Sequence, residues 1–484
     1  MLLSELLAGV KIQNTSAEYN SALDIKSLSC SSETVGKGGL FFCLRGRNSD
    51  GHDYAHAAVA KGAAALVTER LLPVKIPQIA VESARSAMSV IAGNFYRNPI
   101  RKMNLITVTG TNGKTTTTYI LKSIAEAAGF KAGLIGTTGI IIGNEALPGK
   151  LTTPDPIDLH GIFAKMYAAK CKWVIMEVSA HAIDLNKMDG VTADVAVFTN
   201  ATQDHLDYFG TIERYRAAKI KYFNSNYARL AAVNVDDPTG RRILEASDIP
   251  CFTYGTQNPS DVFAVGYEAG TNGLKYVINM FDNLYDIKFR LPGRYNMYNT
   301  LAAALAASLL KVPITAVAEG IANLQTVPGR YNMIDSPKGA VFIVDYAHTP
   351  DGLDNILKSV KEFAGKRVIT VFGCGGDRDR GKRPIMGRIA GLRSDYAVIT
   401  SDNPRGEVPE KIIAEIEEGL RNTQCKYACV ENRAEAIAHA YNTAAEGDVI
   451  LIAGKGDEPY QEIAGVKIPY NDVEVIEKII INNE

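Results

Sequence analysis

No apolar run in this sequence is long enough to cross a bilayer, so a helical membrane span is not expected. Cysteine is sparse and scattered. The seven are Cys30, Cys43, Cys171, Cys251, Cys374, Cys425 and Cys429, an odd number with no CxxC spacing. That excludes a disulfide scaffold and fits a reduced, cytoplasmic chain. Cys425 and Cys429 would fall one turn apart on a helix, but no second Cys/His pair accompanies them, so they read as packing residues rather than zinc ligands. Charge of one sign is also missing. The 52 Lys and Arg nearly cancel the 53 Asp and Glu, which leaves no electrostatic reason for nucleic acid or an anionic membrane as partner. Met1 to Val10 carries no basic residue ahead of its short apolar stretch and is not expected to be a signal peptide. Low-complexity tracts and fixed-period repeats are absent too. What remains is a 484-residue chain of ordinary globular composition, 46% apolar and 22% charged, with room for roughly two to four domains.

The strongest signal lies at Gly110-Thr111-Asn112-Gly113-Lys114-Thr115-Thr116. Before it, Leu105 to Val108 reads as a buried strand. After it, Ile120, Ile124 and Ala128 repeat at helical spacing between Thr117 and Phe130. A strand, a glycine turn and a helix in that order point backbone N–H groups and the positive helix end at one spot, which suits phosphate. Lys114 would reach the terminal phosphates of ATP, and the Thr115 hydroxyl would sit on Mg²⁺. The strict phosphate-loop pattern would need glycine at position 108, where this chain has Val108.

Around this loop the chain divides into three stretches. Residues 1–98 alternate short helices and strands, with Gly39–Leu44 and Ala65–Val67 as strands and His56–Ala64 as a helix, and predict a small α/β domain. The Asn98-Pro99 break ends it. Residues 99–332 carry strands at Leu105–Thr109, Trp173–Val178 and Asp194–Thr199 with helices between, so a mostly parallel sheet is expected. The punctuated stretch Leu291–Asn299 then opens an alanine-rich helix over Thr300–Leu310. Residues 333–484 give a doubly wound, Rossmann-like pattern. Its apolar runs Val341–Val344, Val368–Phe372, Ala397–Thr400 and Val449–Ala453 each end in a polar loop. Ligands in open parallel sheets bind beyond the carboxyl ends of strands, so these loops point to one site.

Two side chains beside the phosphate loop suit a divalent ion. Glu177 ends a strand, and His205 follows another strand end. Lys219 looks by itself like a solvated helix lysine.

The variant Thr-Gly-Thr-Asn-Gly-Lys-Thr-Thr resembles the ATP loop of the Mur ligases and of their folylpolyglutamate synthase relatives, and further matches cover nearly the whole chain. The resemblance implies that the stretch 1–98 binds a uridine nucleotide, that 99–332 is a P-loop ATPase-like domain, and that 333–484 binds an amino acid. It implies that Lys219, in Ala217-Ala218-Lys219, carries CO₂ as a carbamate and joins Thr115, Glu177 and His205 around Mg²⁺. It places Asn296 and Asn299 on the nucleotide, and Arg330 at the γ-phosphate. Asp345 and His348 would form the facing lip of the ATP site. Lys114, Lys219, Arg330 and His348 are the catalytic candidates.

Substrate choice is implied by the remaining loops. Asp402-Asn403-Pro404-Arg405, with Arg378, Gly454 and Glu458, resembles the set used by family members that add meso-diaminopimelate to UDP-N-acetylmuramoyl-L-alanyl-D-glutamate. The chemistry agrees, because arginine forks onto a distal carboxylate while an acidic side chain takes the ammonium. Arg378 and Arg405 argue against the lysine-adding and the D-Ala-D-Ala-adding counterparts. A folylpolyglutamate synthase would not need the first stretch. A non-catalytic ATP-binding switch stays open. Ser32, Thr152, Thr153, Ser179 and Lys187 correspond to the UDP-sugar contacts. Leu185 stands where glutamine is usual and Lys187 where arginine is. Ser31-Ser32-Glu33 replaces Asp-Ser-Arg. A monomer is expected.

Overall fold

The computed structural model describes residues 1–46, 49–270 and 273–482. The described chain forms three large sheets in sequence order and one small hairpin. A five-stranded sheet uses strands between Ile12–Thr15 and Gln78–Val81, an eleven-stranded sheet runs from Asn104–Thr109 to Asn283–Phe289, and a six-stranded sheet from Asn332–Asp335 to Val449–Ala453.

The middle sheet positions the site. At its centre, Asn104–Thr109 lies between Trp173–Glu177 and Ala193–Phe198, parallel to both. These strands are mostly apolar and buried on both faces, as a helix-covered parallel sheet demands. The parallel register puts Glu177 opposite Val108 and Phe198 opposite Thr109, so three strands end together. The flanks depart from the parallel expectation. Val262–Gly270, Gly273–Met280 and Asn283–Phe289 form an antiparallel meander, and Ala132–Gly136, Gly139–Ile142 and Glu145–Leu147 form another.

The third sheet is doubly wound as expected. Val341–Asp345, Val449–Ala453, Val368–Phe372 and Tyr396–Ile399 are neighbours in that order and parallel, so their polar loops share one edge. Asn332–Asp335 adds an antiparallel edge strand. Cys425 precedes and Cys429 ends a strand, Lys426–Cys429, not a helix turn; Cys425 packs against the core, whereas Cys429 is exposed. The same hydrophobic cluster includes Leu301 and Leu305 of the middle stretch and Leu353, Ile356 and Leu357 of the third, so these units share a core. Among the described residues no helix is long and apolar enough to cross a membrane.

Candidate active site

The helix after the glycine turn begins at Lys114, three residues earlier than the periodicity predicts, and runs to Ala127. Gly113 caps it with φ of +86°, and a Cβ there would stand 2.4 Å from Asn299 Oδ1. A Cβ on Gly110 would meet Thr199 Oγ1 at 1.8 Å. Gly113 is therefore favoured by its left-handed backbone, and at both positions a side chain would displace a neighbour, Asn299 or Thr199.

Lys114 is folded back onto its own loop. Its Nζ donates to the carbonyls of Gly110 at 2.9 Å and Thr111 at 2.8 Å. Burial lowers its pKa, while the carboxylates of Glu177 and Asp204 oppose that. The Thr115 hydroxyl donates to Glu177 Oε1 at 2.9 Å and accepts from Arg330 Nη2 at 3.2 Å. Glu177 is held from its other side by the Thr137 amide at 3.1 Å and the Thr137 hydroxyl at 3.0 Å. Thr137 escaped sequence reasoning, since a lone threonine after a strand carries no signal.

The helix carrying the asparagine pair starts at Arg294 rather than Thr300. Asn296 and Asn299 thus lie on successive turns of one helix face, and Asn299 Nδ2 donates to Asn296 Oδ1 at 3.0 Å. Asn296 in turn donates to the Pro292 carbonyl at 2.7 Å.

The third sheet supplies the opposite wall. Asp345 ends the strand Val341–Asp345, and its oxygens accept the amides of Tyr331 and Ala347, both at 2.9 Å. Burial raises its pKa, with Arg330 opposing. The Arg330 guanidinium lies 4.4 Å from the centre of the Tyr346 ring, a cation–π contact that fixes its direction. His348 Nδ1 donates to the Tyr346 carbonyl at 2.8 Å. Burial lowers the pKa of His348, helped by Lys382, whose Nζ donates to the His348 carbonyl at 2.9 Å. Asp204 lies 3.3 Å from His205 Nε2 and 4.0 Å from His348 Nε2. Burial lowers the pKa of His205, against the pull of Asp204.

These groups line one cavity of about 1140 Å³. It collects residues 111–116 of the loop, Thr152, Glu177, Ser179 and His205, together with Asn296, Asn299, Arg330, Asp345 and His348. Ser32, Thr153, Lys187 and Lys219 do not line it, and neither do Arg378, residues 402–405, Gly454 or Glu458. Thr153 and Lys187 lie just behind it. The Thr153 hydroxyl donates to the Glu177 carbonyl at 3.0 Å and accepts from the Ser179 amide at 3.0 Å, and Lys187 pairs with Asp155 at 2.8 Å. Ser32 is half-buried in the first sheet's unit.

The loops of the third sheet form their own cluster. Glu458 Oε2 accepts from Asn403 Nδ2 and Lys455 Nζ, both at 2.9 Å, and Lys455 is fully buried there. Asp402 is buried beneath Gly454, where a Cβ would meet its carboxylate at 2.7 Å. Arg405, at φ of +52°, donates to the Gly376 carbonyl at 2.8 Å and stands 3.4 Å from Glu462. Arg378 is exposed. Tyr346 bridges the two clusters, with its ring under Arg330 and its hydroxyl 3.5 Å from Glu458 Oε1.

Among the described residues, no three His, Cys, Asp or Glu side chains converge as a metal cluster. A divalent ion here would rest on the Thr115 hydroxyl, Glu177, His205 and a further ligand. Lys219 fits that last place in one respect. Its amine is fully buried in the helix Ile212–Ile220, with no hydrogen-bond partner among the described residues, and burial and the neighbouring Lys114 drive its pKa well down. Its contact there is with the Tyr215 ring, 4.7 Å from Nζ, and a buried cation without a hydrogen bond is costly, whereas a neutral amine is tolerated and is the form that reacts with CO₂.

Three family profiles cover most of the chain: the Mur ligase family catalytic domain matches residues 24–96, the Mur ligase middle domain 108–307, and the Mur ligase glutamate ligase domain 329–456. The UDP-N-acetylmuramoyl-L-alanyl-D-glutamate--2,6-diaminopimelate ligase of Geobacillus thermodenitrificans is 44% identical over 456 residues, 93% of each chain. That of Caldanaerobacter subterraneus is 40% identical over 486 residues and the full length of both. A solved structure of a ligase of that name superposes with a TM-score of 0.70 at 29% identity, covering 100% of this chain and 99% of its own. The chain belongs to the Mur ligase family.

Proposed function

We propose that the protein is an ATP-dependent amide ligase that joins meso-2,6-diaminopimelate to the D-glutamate of UDP-N-acetylmuramoyl-L-alanyl-D-glutamate, in cytoplasmic peptidoglycan precursor synthesis. One observation carries the ligase reading: a single cavity is walled by the phosphate loop on one side and by Arg330, Asp345 and His348 on the other. Full-length likeness to ligases of that name, 40–44% identical, supports the choice of substrates. We assign residues 1–98 to the UDP-sugar, 99–332 to ATP and 333–484 to the amino acid, a division supported by one large sheet in each stretch.

In this reading Lys114 leaves the carbonyls of Gly110 and Thr111 for the ATP phosphates, and Asn296 and Asn299 hold the nucleotide. Mg²⁺, when bound, supplies charge neutralisation at the phosphates. Thr115, Glu177, His205 and Lys219 as its carbamate would hold it. A carboxylate oxygen of D-glutamate attacks the γ-phosphorus, and ADP leaves. The diaminopimelate amine then attacks the acyl carbon, and phosphate departs with that oxygen. Arg330, steadied by Tyr346 and Thr115, offers its guanidinium to the transferring group. His348, whose Nδ1 donates to the Tyr346 carbonyl, offers Nε2 as an acceptor for the proton the amine gives up. Ser32, Thr152, Thr153, Ser179 and Lys187 position the UDP-sugar peptide. Arg378, Asp402, Asn403, Pro404, Arg405, Gly454 and Glu458 position the diaminopimelate. Most of the protein's work is orientation and charge screening.

The test is phosphate release from ATP with each substrate omitted in turn. Release that requires both the UDP-muramoyl dipeptide and diaminopimelate supports the reading. Release that needs neither identifies an ATP-driven switch instead.

A further inference from the structure

Asn112, in the phosphate loop, reaches two residues of the third unit at once. Its Nδ2 donates to Asp351 Oδ2 at 2.9 Å, and its Oδ1 accepts from Thr349 Oγ1 at 3.2 Å. Those partners are the cap and first turn of the helix Pro350–Phe363, more than two hundred residues away in sequence. The Asn112 backbone is fixed separately. Its N–H donates to Asn200 Oδ1 at 2.9 Å, and its carbonyl accepts from Thr199 Oγ1 at 2.7 Å and Asn200 Nδ2 at 3.1 Å. The Asn112 backbone is therefore anchored by the middle unit, while its side chain is gripped by Asp351 and Thr349 of the third, with a longer bond from Nδ2 to Thr202 Oγ1 of the middle unit at 3.4 Å. A second contact beside it, from Gln203 Nε2 to Asp379 Oδ2 at 2.9 Å, joins the same two units.

We propose that Asp351, assisted by Thr349, is a positioning residue that docks the third unit on the phosphate loop through the Asn112 carboxamide. This rests on the ligase reading above. Nucleotide is held largely by the middle unit, while Asp345, His348 and the amino-acid loops come with the third. The Asp351–Asn112 contact is therefore needed for the step that requires both units, and not for nucleotide binding alone. It differs from the ordinary role of an acid in a first helical turn, which would stabilise the helix whatever residue stood at 112. The carboxylate accepts a donor from a rigid loop, and losing a hydrogen bond to a charged group corresponds to about ten- to a hundredfold in an equilibrium.

The experiment is a double-mutant cycle on full-length enzyme, reading kcat for ligation and the Kd for ADP with Mg²⁺. Asp351→Ala is expected to lower kcat about ten- to a hundredfold in the wild-type background. The same change should have less than about a threefold effect in an Asn112→Ala background, and ADP affinity should move less than about threefold. Asp354→Ala removes another acid from the same helix, one paired instead with Lys358 and Arg393, and should leave the cycle unchanged. Asp351→Asn keeps the shape and should give the same pattern at smaller size, which covers a failure of the alanine variant to fold. Additive losses, an equal loss in ADP affinity, or wild-type turnover in Asp351→Ala would each overturn the proposal. Absence of ligation in the wild type would instead remove the ligase reading on which it rests.

Discussion

Glu177, at the end of its strand, accepts the hydroxyl of Thr115, in the first turn of the helix Lys114–Ala127, at 2.9 Å. The parallel register that sets Glu177 opposite Val108 makes this contact, so sheet pairing itself delivers a carboxylate to the phosphate loop. With Arg330 on the same hydroxyl, Thr115 stands between an anion and a cation.

Lys114 is the residue whose loss should be most complete. Its amine is the loop's own cation, and it is held over that loop by Gly110 and Thr111. Lys114→Ala is expected to fold, judged by an unchanged circular dichroism spectrum and a near-normal melting temperature. Ligation should fall below detection, and ATP affinity should weaken. Near-normal turnover in the folded variant would move ATP chemistry away from this loop.

The sealed amine of Lys219 is expected to carry a carbamate. The lysine nitrogen bonds the carbon of CO₂ and one proton is released, which replaces a buried amine that has no hydrogen bond among the described residues by a group with two oxygen acceptors. Lys219→Ala should be nearly inactive, and a short-chain carboxylate should restore part of the activity. Intact mass under bicarbonate and a high-resolution density map both read the modification. A bare amine in fully active protein contradicts it.

Arg405 is expected to set the preference for diaminopimelate over lysine, which differ by a distal carboxylate. A site built around a polar group typically rejects the analogue lacking it by about 10⁴-fold or more. Removing one partner of a buried charge pair costs roughly 2–5 kcal/mol. Arg405→Ala should then lose about thirtyfold to a few thousandfold in kcat/KM for diaminopimelate, with KM for ATP nearly unchanged. Lysine should remain a poor substrate. Wild-type preference in the variant would mean that this loop does not read the amino acid.

His160 sits between the helices Ala84–Phe95 and Pro156–Ala168, fully buried, and neither ring nitrogen has a hydrogen-bond partner among the described residues. Burial pulls its pKa down to about 4. The unfolded chain takes up a proton near the ordinary value of about 6.5 and the folded chain does not. Stability from the neutral ring is therefore complete above about pH 6.5 and is lost as pH falls toward 4. Relative to His160→Leu, the wild type should lose about 2 kcal/mol between pH 7.5 and 5. Parallel pH profiles for the two proteins would mean that the ring finds a partner when charged.

The buried parallel strands were legible because a continuous apolar run that stops at a polar loop suits a strand covered on both faces and little else. The phosphate loop was legible because strand, glycine turn and Lys-Thr fell in order. Helix starts were not. Lys114–Thr116 and Arg294–Asn299 are largely polar, and the first apolar repeat comes only after them, so periodicity set both starts too late. The antiparallel pair Gly273–Met280 and Asn283–Phe289 escaped because its strands mix exposed and buried positions and lack the continuous buried runs of the centre. At the site, Asp204, Thr137, Lys382 and Lys455 matter through contacts between residues brought together by the fold, which no local pattern records. Cys425 and Cys429 misled because a four-residue spacing suits a helix, and the chain there is a strand.

The most direct measurement follows oxygen through the reaction. The D-glutamate side-chain carboxylate of the UDP-muramoyl dipeptide is labelled with ¹⁸O, and the enzyme is given ATP, Mg²⁺ and meso-diaminopimelate. Mass spectrometry then reads both products. The account predicts a UDP-muramoyl tripeptide formed in step with phosphate, each phosphate carrying one ¹⁸O from the carboxylate. Unlabelled phosphate, or phosphate released without tripeptide, would contradict an acyl phosphate and with it the ligase assigned to this cavity.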